Sequence, residues 1–528
     1  MFTSPRETFD QLATLGTAYL ERLIAIDSQS DERSPASPST EGQLILVRDL
    51  QGLLQSLGID AEVDGMGNLV ALLPARGASV AQVPVALMVH IDTARGTAAV
   101  PSLCRAPEWD GGRVNYPANS RLEVSVERYP VTRCFLGDDV LHGPGERPVG
   151  LDDKLGAAEL LSLATVLVQN PELPHGPLVL VFRPDEEIGR MAAVEELADR
   201  LKALGVRYGY TIDGLLPFEI NVSNFNAAHG LIRVPRGPAL GELPRSVTVR
   251  LDGAKSHGAT AKAEGYLNAT TLVVRALERL SPGAGAPHPG IVPVAFETDT
   301  TSETSAVVRF AVSGRAAEDA LLAALGAEVA PHAWRGAGVE VLEVGGPTPV
   351  FDAVGRALAV ISWHHRNSPV QPVLSEDSDG TQGYSNAYAV RPQAGSGDGV
   401  EVAFRLRDFD PALLASRKAH VAAAAAAAGL TAELHEQYID MGPALAPFPE
   451  LVEWARLAAA ADGVTPDILP IRGGTGVDPF LERGIPVANL GTGYFAPESE
   501  KELTSCQNIA RHTRWLVNLV QVAGRPAF

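Results

Sequence analysis

Three short strings carry the residue types from which a two-metal hydrolase centre is built: His90-Ile91-Asp92, Asp152-Asp153-Lys154 and Pro184-Asp185-Glu186-Glu187. A histidine and a carboxylate two apart on an extended segment point to the same side. Asp92 can therefore hold the His90 ring while the other ring nitrogen binds a metal. Adjacent Glu186 and Glu187 repel each other after a buried strand unless a cation neutralises them. One can then bind metal while its neighbour serves as general base. Taken singly, His-x-Asp is equally a hydrogen-bonded core histidine, and Asp-Asp-Lys at a helix start is equally a cap. Together, in this order, they point to metal-assisted hydrolysis.

The elements that must position these residues are legible from periodicity. Apolar runs at 85–89 and 178–182 read as buried strands ending at the first and third strings, and Gly150-Leu151 is a turn before the second. Helical spacing is found over 12–26, 42–57, 155–168 and 192–204, with further strands at 68–73 and 208–212, the last ending at Asp213. Strand, ligand, helix in succession predicts an α/β fold, a mainly parallel sheet sandwiched by helices, with ligands converging at the strand ends.

The chain of 528 residues exceeds one ordinary core. Its 45% apolar and 20% charged residues suit a globular, soluble protein. A net charge of −20 argues against nucleic-acid or anionic-membrane partners. Three widely spaced cysteines fit a reducing compartment. Arg6, Glu7 and Asp10 precede any apolar stretch, so no signal peptide is expected. The most apolar segment, 419–430, is about 12 residues and too short to cross a bilayer. A cytoplasmic protein is expected.

Pro/Gly punctuation at 235–238 and 243–244 predicts a boundary near 243. The expected plan is a catalytic domain over 1–243 and 439–528, interrupted by an inserted α+β lid domain over 244–438. In the insert a strand is expected at 246–251 and one helix over 261–280; further helices are expected at 449–461 and 508–522. Residues 308–322 resemble 400–414, with 92 residues between Arg315 and Arg407, and Gly346-Pro347 recurs as Gly442-Pro443. Chance likeness of two strand-helix units is one reading; an insert of two related halves is the other.

Longer motifs bear on these strings. Ile26-Asp-Ser-Gln-Ser30, Pro38-Ser-Thr-Glu-Gly-Gln43, Phe182-Arg-Pro-Asp-Glu-Glu-Ile-Gly189, Tyr210-Thr-Ile-Asp-Gly214, Asn224-Phe-Asn-Ala-Ala228, Arg407-Asp-Phe-Asp410 and Ile471-Arg-Gly-Gly-Thr475 span nearly the whole chain. With these, the chain resembles the peptidase T, aminoacylase and carboxypeptidase G family of dinuclear zinc hydrolases, and most its tripeptidase branch. The resemblance implies that His90 and Asp213 bind one zinc, Glu187 the other, and that Asp152 bridges them. Glu186 would be the general base and Asp92 the partner of His90. Two metals would clamp a bridging hydroxide and polarise the scissile carbonyl. His257 would stabilise the oxyanion, and Arg407 and Arg472 would hold the substrate carboxylate. Cobalt or manganese could replace zinc at such a donor set.

The sequence also departs from that pattern. The family ends its metal set with a histidine near the C-terminus, yet no histidine lies between His435 and His512. Anchoring on Glu502-Leu503 places Glu498 there, and anchoring on Pro497 places Phe495; only Glu498 could bind zinc. His512 is expected within the closing amphipathic helix. The aspartate that usually follows Gly-Gly-Thr is absent after Thr475, and Trp363-His364-His365 falls in an enlarged lid like that of the dipeptidase branch. The His364-His365 pair is expected to be surface or packing. The leading expectation is a metallo-exopeptidase acting on short peptides, foremost a tripeptide aminopeptidase. The alternatives are a dipeptidase or N-acyl amino acid amidohydrolase, and a degenerate homologue that binds without turnover. The assembly is expected to be a monomer with a duplicated lid or a homodimer through the lid.

Overall fold

In a computed structural model of the chain, which describes residues 2–77, 83–255, 260–281, 288–299, 303–393 and 399–525, the apolar run at 85–89 forms the strand Val85–His90. This strand and Leu178–Arg183 are buried at every position. Continuous burial is what a sheet covered on both faces imposes. The sheet has eight strands in the order Asp60–Val63, Leu69–Leu73, Leu178–Arg183, Val85–His90, Tyr208–Gly214, Val487–Gly491, Glu219–Asn221 and Asp467–Ile468. Neighbours among Leu178–Arg183, Val85–His90, Tyr208–Gly214 and Val487–Gly491 pair in parallel. The mainly parallel α/β architecture is the one expected.

Helices Phe9–Ile24, Leu151–Gln169 and Cys506–Val522 pack against one another. Thr8 and Gln11 form a reciprocal capping box that starts the first of them. The helix Leu151–Gln169 is interrupted in its first turn, where Asp152 (φ −83°, ψ 105°) and Asp153 (φ −117°, ψ 32°) are not helical. That break turns the Asp152 backbone out of the helix it precedes.

The chain divides into two compact units, one of residues 1–120, 124–224 and 440–528, the other of 121–123 and 225–439. The first division falls at 224/225 rather than 243/244. The reason is the strand Asn226–Pro235, which is an inner strand of the second unit, paired with both Gly399–Asp408 and Ala432–Tyr438. Pro/Gly punctuation at 235–238 marks the end of that strand, not a domain boundary.

The second unit contains two four-stranded antiparallel sheets of one topology. In one, strand Arg245–Asp252, helix Ala269–Leu280, strands Ile291–Thr298 and Ser305–Val312, helix Arg315–Val329 and strand Gly338–Gly345 follow in order. In the other the same series is Asn226–Pro235, Ala353–Asn367, Tyr384–Pro392, Gly399–Asp408, Pro411–Ala427 and Ala432–Tyr438. The first series lies in sequence between the first strand and first helix of the second. Strand orders match element by element, and the 92-residue likeness falls on equivalent strand-helix pairs. Thr298 Oγ1 joins the two, accepting from Val390 N at 2.9 Å and donating to Val390 O at 3.1 Å.

The single helix expected over 261–280 is two, Ala261–Glu264 and Ala269–Leu280. Gly265 sits between them in the left-handed region (φ 71°), and the Asn268 side chain caps the second by accepting from Thr271 N. His364 is buried, its Nε2 bonded to Ser385 Oγ at 2.8 Å, so that histidine is packing. His512 is also buried, in the helix Cys506–Val522, as expected. Among the described residues no helix is long and apolar enough to cross a membrane.

Candidate metal centre

In the first unit three parallel strands end together, bringing His90, Glu186 and Asp213 to one place, and the break before Lys154 delivers Asp152. His90 Nε2 lies 2.9 Å from Asp152 Oδ1 and 3.6 Å from Asp213 Oδ1. His90 Nδ1 donates to the backbone carbonyl of Asp92 at 3.0 Å, with Asp92 Oδ1 3.4 Å away. The ring is thereby fixed with Nε2 facing the carboxylates. The Asp92 carboxylate accepts from Glu186 N at 2.9 Å and from Glu187 N at 3.1 Å. One buried aspartate thus holds both the histidine and the turn bearing the paired glutamates.

Two trios place ligand atoms within 4.8 Å of one another: His90, Asp152 and Glu187, and His90, Asp153 and Asp213. Asp153 is better read as scaffold, because its Oδ2 already accepts from His90 N and its Oδ1 from Gly156 N, each at 3.1 Å. Gly156 has no room for a side chain: a Cβ would lie 2.2 Å from the carbonyl of Ile212, beside Asp213. Glu187 Oε1 is buried without a hydrogen-bond partner.

The electrostatics call for a cation. Burial, then the charges of Glu498 and Asp152, hold Glu187 well above the usual carboxylate range. Burial pushes Glu186 up to about 7, against the Arg183 and His90 charges that pull it down. Burial pushes His90 down, but the Asp213 charge and its hydrogen bonds to the surrounding carboxylates hold it well above the usual imidazole value. The carboxylates that favour a proton on His90 would equally favour a metal ion beside it. The donor set and the orphaned Glu187 oxygen fit a divalent cation.

The supports explain the longer motifs. Ser39 Oγ (2.5 Å), Ser39 N (2.9 Å) and Gln43 Nε2 (2.7 Å) all donate to the Asp185 carboxylate, where the backbone takes φ 55°. Ser28 Oγ donates to Ile91 O at 2.8 Å, bracing the His90 strand end. Lys154 Nζ donates to Ile26 O at 2.7 Å, and burial lowers its pKa to about 8.

The sequence profile of Peptidase family M20/M25/M40 matches residues 136–522. The chain belongs to that family. It is a peptidase, as the motifs led us to expect. A peptidase T of Aeromonas salmonicida (strain A449) is 26% identical over 511 residues, covering 95% of this chain and 96% of the relative. A peptidase T of Lysinibacillus sphaericus (strain C3-41) is 26% identical over 518 residues, covering 95% and 97%. Among solved structures, a tripeptidase from Staphylococcus aureus superposes with a TM-score of 0.54 at 15% identity, covering 97% of this chain and 99% of that one. An aminoacylhistidine dipeptidase from Vibrio alginolyticus gives 0.52 at 15% identity, covering 99% of each. These two likenesses concern the fold.

The M20/M25/M40 chain therefore brings His90, Asp92, Asp152, Glu186, Glu187 and Asp213 together. Neither residue that the two anchorings place at the missing histidine belongs to the two trios, and their surroundings differ. The Phe495 side chain is buried with its ring 5.1 Å from that of Tyr129, whereas the Glu498 charge acts on Glu187. Arg472 follows Ile471, whose N–H donates to Ser223 O at 2.8 Å in the same unit. Arg407 is in the second unit on Gly399–Asp408, its Nη1 donating to the carbonyls of Ala228 (3.2 Å) and Leu406 (3.0 Å). His257 lies outside the described residues.

Two residues went unrecognised in the sequence. Glu502 is buried; its Oε2 accepts from Val149 N and Gly150 N at 2.8 Å and Leu151 N at 3.3 Å, and its Oε1 from Glu498 N at 2.8 Å. It ties the Glu498 loop to the segment carrying Asp152, and nothing local announces a pairing across some 350 residues. Arg183, also buried, donates from Nη2 to Thr475 O (2.8 Å) and Glu186 Oε1 (3.4 Å). A charge ending an otherwise apolar strand was its signal.

Proposed function

We propose that the protein is a two-metal exopeptidase of short peptides, foremost a tripeptide aminopeptidase acting in the cytoplasm. The observation that carries this reading is the Asp92 clamp: its backbone carbonyl holds the His90 ring and its carboxylate holds the Glu186 and Glu187 N–H groups. His90 and Asp213 would hold one metal, Glu187 and Glu498 the other, and Asp152 would bridge. Bound there, two metal ions would supply Lewis acidity toward a scissile carbonyl and a water. Glu186, with a pKa raised to about 7, would take the proton from that water and return it to the leaving amine. Arg183 would hold Glu186 in reach of that proton. Arg407 and Arg472 would recognise the substrate carboxylate, and His257 the oxyanion, as the family resemblance implies.

The peptidase T relatives support the tripeptide substrate. The duplicated βαββαβ series of the second unit favours a second reading, a dipeptidase or N-acyl amino acid amidohydrolase. A panel of tripeptides, dipeptides and N-acyl amino acids, assayed with metal analysis, separates them. The expected outcome is release of the N-terminal residue from tripeptides by protein holding two metal ions. An inert protein holding at most one would sink the proposal and leave the degenerate reading.

A further inference from the structure

The two metal positions of the proposed function cannot be equivalent. Among the described residues His90 is the only imidazole of the cluster. Its Nδ1 is engaged with the carbonyl of Asp92 at 3.0 Å, so Nε2 alone is available, and its one lone pair serves one ion. Whichever ion takes that nitrogen, the other is left with oxygen. The oxygens left to it are those of Asp152 and Glu187, which share a trio with His90, and of Glu498, whose N–H donates to the same Glu502 carboxylate that holds the N–H groups of residues 149–151 beside Asp152. Among the described residues Glu187 Oε1 is buried without a hydrogen-bond partner.

Imidazole with carboxylate suits zinc, whereas carboxylate and water suit harder cations such as manganese and magnesium. We infer that the centre is hetero-metallic by construction: a zinc-type position on His90 and Asp213, and an oxygen-only position on Asp152, Glu187 and Glu498 that takes a hard divalent cation, with Mn2+ as its probe. This rests on the two-metal reading and adds to it what each position selects. Glu498 is the residue that makes the difference. Its backbone, at φ 55°, is held by the N–H bond to Glu502, and histidine tolerates that left-handed conformation.

The test is calorimetric titration of the metal-free protein, with the electron paramagnetic resonance of free Mn2+ followed in parallel. One equivalent of Zn2+ is expected to bind tightly and a second at least 10-fold more weakly. The one-zinc protein is expected to take up one Mn2+. Glu498→His should tighten the second zinc and weaken Mn2+ by about 10- to 100-fold. Glu498→Gln, which keeps the size and the backbone, should weaken Mn2+ without tightening zinc. Two zinc ions of equal affinity in the wild type, or a Glu498→His protein with unchanged selectivity, would overturn the inference while leaving the two-metal peptidase standing. A protein that takes up only one cation of any kind overturns both.

Discussion

His90 in the first unit and His364 in the second are both buried, at 2% and 0% exposure, yet their protons are held in opposite senses. Burial disfavours the charged ring in each case. Around His364 nothing opposes it: the neighbours are His365, His420 and Arg417, and the ring is held well below the usual value. Around His90 the Asp213 charge and the bonds to Asp152 and Asp92 overcome burial. One histidine is thereby disfavoured as a cation and the other favoured as one. The difference lies in the carboxylates around each ring, not in how deeply it is buried.

The sharpest test of the first region is Glu186→Gln. Loss of the base is expected to lower kcat on a tripeptide by about 10²- to 10⁴-fold with metal content unchanged. An unchanged kcat would remove Glu186 from the reaction. Next in size, Glu502→Gln should weaken the more loosely bound metal by about 10- to 100-fold, read as the dissociation constant in a metal titration, because it loosens the loop bearing Glu498. Equal affinity in variant and wild type would show that Glu502 is only a core acceptor.

The pH dependence of stability should separate two kinds of buried group within the first unit by sign. Glu186 has a folded pKa raised to about 7 from 4.5. Its contribution is complete below about 4.5 and is lost as pH rises through 7, at up to about 1.4 kcal/mol per pH unit. His90, also raised, acts in the same sense from 6.5 upward. Metal binding should abolish this loss, so melting temperatures with and without metal should diverge as pH rises. His512, which burial lowers from 6.5 to about 3, behaves oppositely: its contribution is complete above 6.5 and is lost as pH falls toward 3. An acid limb of melting temperature independent of metal is expected. Smallest of all, Ser385→Ala removes the partner of His364 and should cost about 1 kcal/mol in urea unfolding, with kcat unchanged.

Much of the fold was legible because burial leaves periodic traces. The runs at 85–89 and 178–182 formed the expected buried strands of a mainly parallel sheet, and helices expected at 12–26 and 42–57 formed as Phe9–Ile24 and Glu41–Ser56. The break at Gly265 was missed because the apolar spacing continues across it. The boundary near 243 was misplaced because Pro and Gly mark the end of a strand as readily as the end of a domain.

The sequence by itself determined which groups can do chemistry: His90, Asp152, Glu186, Glu187 and Asp213 follow strands or a turn, and strand ends converge in a parallel sheet. It could not say that Asp92 clamps the glutamate pair, that Ser39 and Gln43 hold Asp185, or that Glu502 joins Glu498 to the Asp152 segment. Those bonds join backbone and side-chain atoms that only folding brings within 3 Å, and periodicity carries no record of them. Tertiary structure alone decided that the Glu498 backbone is tied through Glu502 to the N–H groups beside Asp152. It alone decided that, among the described residues, one imidazole with one nitrogen already engaged faces a cluster of carboxylates.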